Sequence, residues 1–373
     1  MEEKLLGSEN ANSQKAGNQG ARSGQGKAHA SSLSRLRRLR GSAPWLLVLV
    51  LAIAPLQMSE ATAVIRILDL IAIYSLLALG LNVVTGFAGL LVLGYAAFYA
   101  VGAYLYAFLA SAQFNIHFPF LLLLVGGGLV SALFGVLLGI PVLRLRGDYL
   151  AIVTLGFGEI VRIFLNNLSS VTNGPQGISL IDTPDLFGVK LSTPTHVYYL
   201  LLALLVGSVV LLRRLEGSRI GRAWAAIRED EGAARAMGVD TTRLKLMAFA
   251  IGASFAGLAG VVFAGLQGFV SPESFTFWES ILMLSMVVVG GIGSIPGVIV
   301  GAVALIGIPE LLRQYSDYRM LVFGVVMVVM MVLRPEGIWP SSMIRAELHE
   351  GRQSAESEDV AAEPVVSGVG GND

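Results

Sequence analysis

Long runs of apolar residues dominate this chain and leave few folds open to it. A helix needs roughly 20 mainly apolar residues to cross the hydrocarbon core of a membrane. Ten runs approach that length, although the first is short and contains Pro55; they are 43–58, 66–85, 88–111, 118–143, 148–166, 195–213, 245–270, 276–292, 296–313 and 319–334. Charged residues make up only 14% of the chain, against about 25% in soluble domains. The sequence therefore predicts an all-α integral membrane protein with about ten transmembrane helices, and it excludes a soluble enzyme.

The two ends of the chain differ from this hydrophobic body. Residues 1–42 are polar and basic, and residues 336–373 are polar and acidic, so both are predicted to be disordered tails. The transmembrane domain is expected over residues 43–335. Loops rich in Lys and Arg stay in the cytoplasm, and most of the 26 basic residues fall on one side when ten spans alternate from a cytoplasmic N-terminus. This predicts a multi-pass protein of the cell inner membrane with both termini cytoplasmic; nine spans would leave most of the charge bias intact.

Catalytic and metal-binding chemistry has little support in the composition. The chain has no cysteine, which excludes disulfides, Cys-ligated zinc, iron–sulfur clusters and thiol nucleophiles. The four histidines, His29, His117, His196 and His349, are far apart in sequence and predict no metal site. The sequence also has no phosphate-binding loop of the form Gly-x-x-x-x-Gly-Lys-Ser/Thr. We therefore predict no catalytic residue, no metal and no cofactor, and any ATP hydrolysis has to come from another chain.

One long hydrophilic stretch interrupts the hydrophobic body, at residues 214–244, which we call the polar segment. A helix is expected to begin near Ser218. Trp224, Ile227 and Arg228 then lie on one face of that helix, at the spacing i, i+3, i+4.

A second short helix is predicted from Asp230 to Met237, with Gly238 as its C-terminal cap. Ala233, Ala234 and Met237 are expected to form a small apolar face on it. Two interpretations remain open. The polar segment is either a docking surface for a cytoplasmic partner or a loop that merely carries the positive charges of the cytoplasmic side.

Ionisable residues inside a membrane are costly and usually functional. Glu159 lies eleven residues after Asp148, which places it about 16 Å along the helix, near the midplane. Arg162 follows at i+3 and can pair with it. The pair either lines a polar path or gate, or fixes helix packing. Asp69 and Glu279, by contrast, are expected near helix ends, where charged groups reach the membrane surface.

Three further regions carry polar, glycine or turn signals. Asn82 and Thr85, beside Gly86, either bond across helices or line a path, and packing is the favoured role. Residues 167–194, between two spans, are rich in turn signals and predict a short helix or hairpin facing a partner, or else a plain connecting loop. The nearly apolar break at 290–297 fits a re-entrant bend, which requires protein or a water-filled cavity around it.

Several stretches, taken in order, resemble one family of transporters. Residues 79–89 read Leu-Gly-Leu-Asn-Val-Val-Thr-Gly-Phe-Ala-Gly and residues 145–160 read Leu-Arg-Gly-Asp-Tyr-Leu-Ala-Ile-Val-Thr-Leu-Gly-Phe-Gly-Glu-Ile. With 172–177, 221–238 and 289–294, they resemble the permeases of branched-chain amino acid ABC transporters over roughly residues 65–335. Within that family the chain resembles the longer of the two permease subunits.

The polar segment carries part of this resemblance. Residues 232–238 are similar to the Glu-Ala-Ala-x-x-x-Gly loop with which ABC importer permeases contact their ATPase. The chain departs from the motif at its first position, where Gly232 stands for Glu, with Glu229 and Glu231 close by. The residues expected to couple to an ATPase are Gly221, Arg222, Trp224, Ile227, Arg228, Glu229, Glu231, Ala233, Ala234, Met237 and Gly238. Those expected at a translocation path or gate are Asn82, Thr85, Gly86, Thr154, Glu159 and Arg162.

The resemblance implies a heteromeric importer. An extracytoplasmic binding protein would deliver the amino acid, two different permease subunits would form the path, and two cytoplasmic ATPase subunits would drive it; no nucleic acid takes part. Three alternatives remain open: a permease for urea or short amides, an ion-coupled transporter or channel that uses Glu159, and a membrane scaffold.

Overall fold

The computed structural model describes residues 62–340, except 115, 146, 187–188, 192, 312–318 and 335. The first predicted span, 43–58, and the basic tail, 1–42, lie outside the described residues. So does the acidic tail beyond residue 340.

The described residues are mostly helical. The helices are α1 Thr62–Asn82, α2 Ala96–Leu109, α3 Phe120–Val142, α4 Asp148–Asn167, α5 Ser169–Thr172, α6 Pro194–Glu216, α7 Arg219–Glu229, α8 Glu231–Ala236, α9 Thr241–Gln267, α10 Phe277–Gly290, α11 Ile295–Ala302, α12 Ile308–Leu311 and α13 Arg319–Leu333. Wider π-helical turns extend α1 through Val83–Phe87 and α11 through Val303–Gly307. Single 3-10 turns lie at Gly174–Gln176 and Pro272–Phe275.

Membrane-capable helices make up much of this bundle. Five helical stretches in the described part of the chain are long and apolar enough to cross a membrane: Ala63–Phe87, Phe120–Val142, Pro194–Glu216, Thr241–Gln267 and Pro272–Gly290. Ala96–Leu109 and Ile295–Glu310 are apolar but shorter. The prediction of an all-α membrane fold is therefore confirmed at this level.

Helix α9 lies at the centre and packs against α1, α2 and α3. The contacts with α2 and α3 are so close that side chains would not fit between the backbones. A Cβ on Gly257 would lie 2.3 Å from the backbone oxygen of Gly127 on α3, and a Cβ on Gly260 would lie 2.3 Å from that of Tyr99 on α2. Small residues at such positions allow helices in a membrane to approach and gain van der Waals contact.

In the part of the chain that the structure describes, six two-residue strands lie where α2, α3 and α9 meet. They are β1 Ala110–Ser111, β2 Ile116–His117, β3 Ile178–Ser179, β4 Asp185–Leu186, β5 Val189–Lys190 and β6 Phe269–Val270. They pair antiparallel as β1–β2, β3–β6 and β4–β5. We call this the strand end of the bundle. The stretch 167–194 contains both a short helix, α5, and the β4–β5 hairpin, so the prediction of a structured segment there is confirmed.

Helices α7 and α8 lie at the opposite end. Helix α6 starts just after β5 at the strand end, and α9 returns to it at β6. The polar segment, which connects the far ends of α6 and α9, therefore lies away from the strands.

Two stretches depart from simple helical spans. The predicted span 88–111 is wrong in its first part, because residues 88–95 are not helical and α2 begins at Ala96. Gly89 has a positive φ of 70°, which a continuous right-handed helix does not permit. The predicted bend near 290–297 is confirmed as a tight, buried turn, in which Gly291 and Gly293 have φ of 117° and 81°. Its backbone is supported by Trp339, whose N–H donates to Gly290 O at 3.0 Å.

Candidate functional site

Helix α7 begins at a local cap that the sequence signals clearly. Ser218 Oγ accepts hydrogen bonds from the backbone N–H of Ile220 at 3.1 Å and of Gly221 at 3.3 Å. Such a cap satisfies donors that the first helical turn leaves unpaired. Gly221 packs so closely on the end of α6 that a Cβ there would lie 2.3 Å from Glu216 O. The start of α7 is therefore fixed tightly against α6.

The buried face of α7 holds it against the bundle. Trp224 is fully buried and Ile227 is 5% exposed. The Trp224 Nε1–H donates to Leu244 O on α9 at 2.8 Å. The Trp224 ring stacks on Phe87, at the end of the π-helical turn that follows α1, with 6.5 Å between ring centroids. Helix α7 is thus anchored to both α9 and the end of α1.

Arg228 makes a second connection from α7 to the end of α1. Its Nη1 donates to Gly86 O at 2.7 Å, across 142 residues of sequence. A guanidinium bond to a carbonyl is charge-assisted and short. The prediction that Trp224, Ile227 and Arg228 share one face is confirmed, since all three point into the bundle.

Helix α8 is held in place by an N-terminal cap and by an ion pair. Asp230 Oδ1 accepts from Gly232 N at 2.7 Å and from Ala233 N at 3.0 Å. The hydrogen bond from Ala233 N, and to a smaller extent the one from Gly232 N, holds the pKa of the Asp230 carboxylate below its ordinary value of 3.8. Behind the cap, Glu231 Oε2 lies 2.6 Å from the nearly buried Lys245 Nζ on α9. Glu231 therefore holds α8 against α9.

The outer surface of the polar segment is different from the one predicted. Ala233 is exposed and Met237 is 84% exposed, whereas Ala234 is 5% exposed and packs inward. The prediction that these three residues form one accessible apolar face is wrong for Ala234, because a six-residue helix turns neighbouring positions by about 100°. The accessible predicted positions are Arg222, Glu229, Ala233, Met237 and Gly238.

The predicted path residues Asn82, Thr85 and Gly86 lie directly beneath α7. Asn82 Oδ1 accepts from Gly293 N at 2.9 Å, which joins α1 to the tight turn between α10 and α11. The Thr85 hydroxyl is buried without a hydrogen-bond partner in the part of the chain that is described. A pocket of about 390 Å³ opens between Gly86, Gly293 and Arg228. The structure thus brings together residues that the sequence assigned to two separate groups.

The remaining predicted path residues lie on α4 and form two separate contacts. The Glu159–Arg162 pair is confirmed, with Arg162 Nε 3.0 Å from Glu159 Oε2. Arg162 Nη1 also lies 3.0 Å from Glu273 Oε1, next to the strand end. Sequence reasoning missed Glu273, because no local pattern links positions 111 residues apart. Thr154 belongs to the other contact: its Oγ1 accepts from Leu93 N at 3.1 Å.

Glu279 lies in the first turn of α10 and is partly exposed, as expected for a charged group near a helix end, but the expectation that Asp69 reaches the membrane surface is wrong. Asp69 is fully buried on α1, and neither of its carboxylate oxygens has a hydrogen-bond partner in the described part of the chain. Glu279 accepts a hydrogen bond from the Tyr74 hydroxyl at 2.8 Å. Hydropathy cannot separate a carboxylate at a helix end from one that packs inward, so no sequence signal was available.

A family profile and the individual relatives of this chain point to the same family of proteins. The profile of the family described as branched-chain amino acid transport system / permease component matches residues 63–331. The protein from Salmonella typhimurium named high-affinity branched-chain amino acid transport system permease protein LivM is 48% identical over 83% of this chain and 77% of its own length. The LivM protein of Escherichia coli K12 is 47% identical over the same shares of both chains.

A second kind of permease protein from the same system is more distant. The Escherichia coli K12 protein named LivH is 27% identical over 71% of this chain and 90% of its own length. A comparison with solved structures found no match. The predicted resemblance to the longer permease subunit is therefore confirmed by the LivM relatives. Since the family profile covers most of the chain, the protein belongs to the family of branched-chain amino acid transport system permease components.

Proposed function

We propose that this chain is the LivM-type permease subunit of an ATP-driven importer of branched-chain amino acids in the cell inner membrane. Together with a second permease subunit it forms the translocation path. The observation that carries the proposal is the polar segment, an ordered pair of helices that exposes Ala233 and Met237 while it is bonded to α1 and α9. A loop that only carried charge would not need such anchoring.

The ATP-hydrolysing subunits are separate chains in this proposal. The sequence has no phosphate-binding loop, so energy has to enter through contact with two partner ATPases. The polar segment carries six Arg residues, and its two flanking positions, Arg213 and Lys245, bring the number of basic residues there to eight. This charge places it in the cytoplasm by the positive-inside rule, on the side where ATP is available. With ten alternating spans, both termini lie in the cytoplasm as well.

The substrate assignment rests on the relatives and on the chemistry of the chain. The names of the LivM and LivH proteins specify high-affinity branched-chain amino acid transport. An aliphatic side chain requires an apolar path with few fixed charges. In the described part of α4 the charges between Asp148 and Asn167 are paired, as Glu159 with Arg162. An extracytoplasmic binding protein sets the choice among leucine, isoleucine and valine.

The proposal can be tested at the exposed surface of α8. Met237→Glu and Ala233→Glu place a charge where an apolar contact with the ATPase is expected, without touching the buried anchors. We expect both variants to be produced at wild-type levels but to lose ATPase co-purification from mild detergent and to lose leucine uptake in cells. Met237→Leu and Ala233→Ser are the matched controls and should behave as wild type. Wild-type uptake by both charged variants would contradict the assignment of this surface, and uptake of urea instead of leucine would favour the alternative substrate.

A further inference from the structure

The stretch between α1 and α2 is the least regular part of the described bundle. Residues 88–95 form no helix or strand, and Gly89 has a positive φ. Most of the stretch is buried, but Gly89 is exposed and Leu91 is 37% exposed. Irregular backbone within a membrane bundle is tolerated only where it packs on protein or faces a water-filled cavity. This stretch therefore combines buried anchors with an accessible side.

Arg228 holds the beginning of the stretch. Its guanidinium bonds to Gly86 O, and its Cγ would lie 2.9 Å from a Cβ placed on Gly89. One side chain of α7 therefore spans the turn from position 86 to position 89. Any shift of α7 has to move this turn or break a short charge-assisted bond.

Thr154 and Ser280 hold the end of the stretch. Thr154 Oγ1 accepts from Leu93 N at 3.1 Å and donates to Ala151 O at 2.9 Å. Ser280 Oγ on α10 accepts from Ala96 N at 2.9 Å. Thr154 lies on α4 and Ser280 on α10, so neither anchor belongs to the polar segment. The stretch is consequently fixed at one end by the bundle and at the other end by α7.

We propose that residues 88–93 form a gate of the translocation path, which the polar segment moves directly through Arg228, with Thr154 as the fixed anchor. The proposal rests on the proposed function and deepens it. Arg228 and Thr154 are positioning residues, because they act through the backbone of the gate. Movement of α7 by the ATPase displaces positions 86–89, while Leu93 stays bonded to α4, so Leu91 between them changes its accessibility.

The absence of cysteine from the natural sequence makes a direct test possible. Leu91→Cys is introduced, the complete complex with its ATPases, second permease and binding protein is assembled in liposomes, and maleimide labelling of this chain is timed. Rates are compared between the resting complex and the complex trapped with ATP and vanadate. We expect the two rates to differ by about fivefold or more, the lower range for coupling between distant sites. Ser170→Cys, at an exposed position outside the membrane-crossing helices, is the labelling control and should show equal rates.

The role of Arg228 is tested in the same background. Arg228→Gln should remove the difference between the two labelling rates and raise the ATP hydrolysed per leucine transported, and Arg228→Lys, which keeps a cationic donor, should restore part of both. Arg219→Gln removes the same charge from the exposed start of α7. It should show the same labelling difference and the same ATP consumption as the Leu91→Cys protein with Arg228 intact. Should Arg228→Gln fail to assemble, the difference between the two labelling rates at Leu91→Cys is measured in Thr154→Val and in Thr154→Ser. Only the serine keeps the hydroxyl that binds Leu93, so only Thr154→Ser should keep the difference.

Three results separate the inference from the proposed function. Equal labelling rates at Leu91→Cys in both states of a transporting complex would overturn the gate. A labelling difference that persists in Arg228→Gln would overturn the role of Arg228. Failure of the wild-type complex to take up leucine with ATP would instead overturn the proposed function itself.

Discussion

Trp224 is the side chain that does most to hold α7 in place, and its removal should release that helix. The ring is fully buried, donates to Leu244 O at 2.8 Å and stacks on Phe87. Replacing a buried Trp by Ala costs about 3–5 kcal/mol. Since α7 lies at one end of the bundle, we expect this loss to appear as local opening of α7. At about 1.4 kcal/mol per factor of ten, the opened population rises about 100-fold to several thousand-fold.

Trypsin reports this opening, because α7 contains Arg219, Arg222 and Arg228 as cleavage sites. Cleavage follows the opened population when closing is faster than cutting. Trp224→Phe, which keeps a ring but loses the donor, should cost only about 0.5–1.5 kcal/mol and raise cleavage about 2-fold to 12-fold. Trp278→Ala, at a residue 41% exposed on α10, is the control. If Trp224→Ala is cut within α7 no faster than Trp278→Ala, the anchoring argument is wrong.

Three further predictions concern packing, a buried hydrogen bond and pH. Gly257→Ala should lower the thermal midpoint in detergent by overpacking worth about 1–3 kcal/mol, whereas Gly207→Ala, with no atom within 4 Å of the new Cβ, should not; equal midpoints would contradict the close contact. Asn82→Leu leaves the buried Gly293 N–H without its acceptor and should destabilise by about 1–3 kcal/mol, which an unchanged midpoint would refute. Because folding lowers the Asp230 pKa, its cap stabilises α8 above pH 3.8 and is lost as the pH falls below that value. The protection factor of the α8 amides, which corrects the exchange rate for its intrinsic pH dependence, should therefore fall on acidification in wild type but show no such step in Asp230→Asn.

Features that depend on neighbouring residues were predictable from the sequence. The caps at Ser218 and Asp230 involve donors two or three positions away, and the apolar length of a run reflects the thickness of the membrane. The helix boundaries of the polar segment and the pairing of Glu159 with Arg162 followed from such local rules. The bend near 290–297 was likewise visible in its glycines.

Features that depend on distant contacts were not predictable. The bond of Arg228 to Gly86 spans 142 positions and that of Gly293 to Asn82 spans 211, so nothing local linked the polar segment to the path residues. The non-helical stretch 88–95 was predicted as helix, because it is as apolar as its surroundings and hydropathy carries no information on φ. The burial of Asp69 was not predictable for a related reason, since only the packed bundle determines which face of α1 turns inward.

The central claim, that this chain is half of a path driven by ATPases on other chains, is tested most directly by uptake into liposomes. The complete complex with its binding protein is reconstituted with ATP at the ATPase side, and accumulation of labelled leucine is compared with that of liposomes holding this chain alone. The account predicts accumulation by the complete complex that stops when ATP is withheld, and none by the chain alone. Leucine accumulation by the chain alone, without ATP, would contradict it.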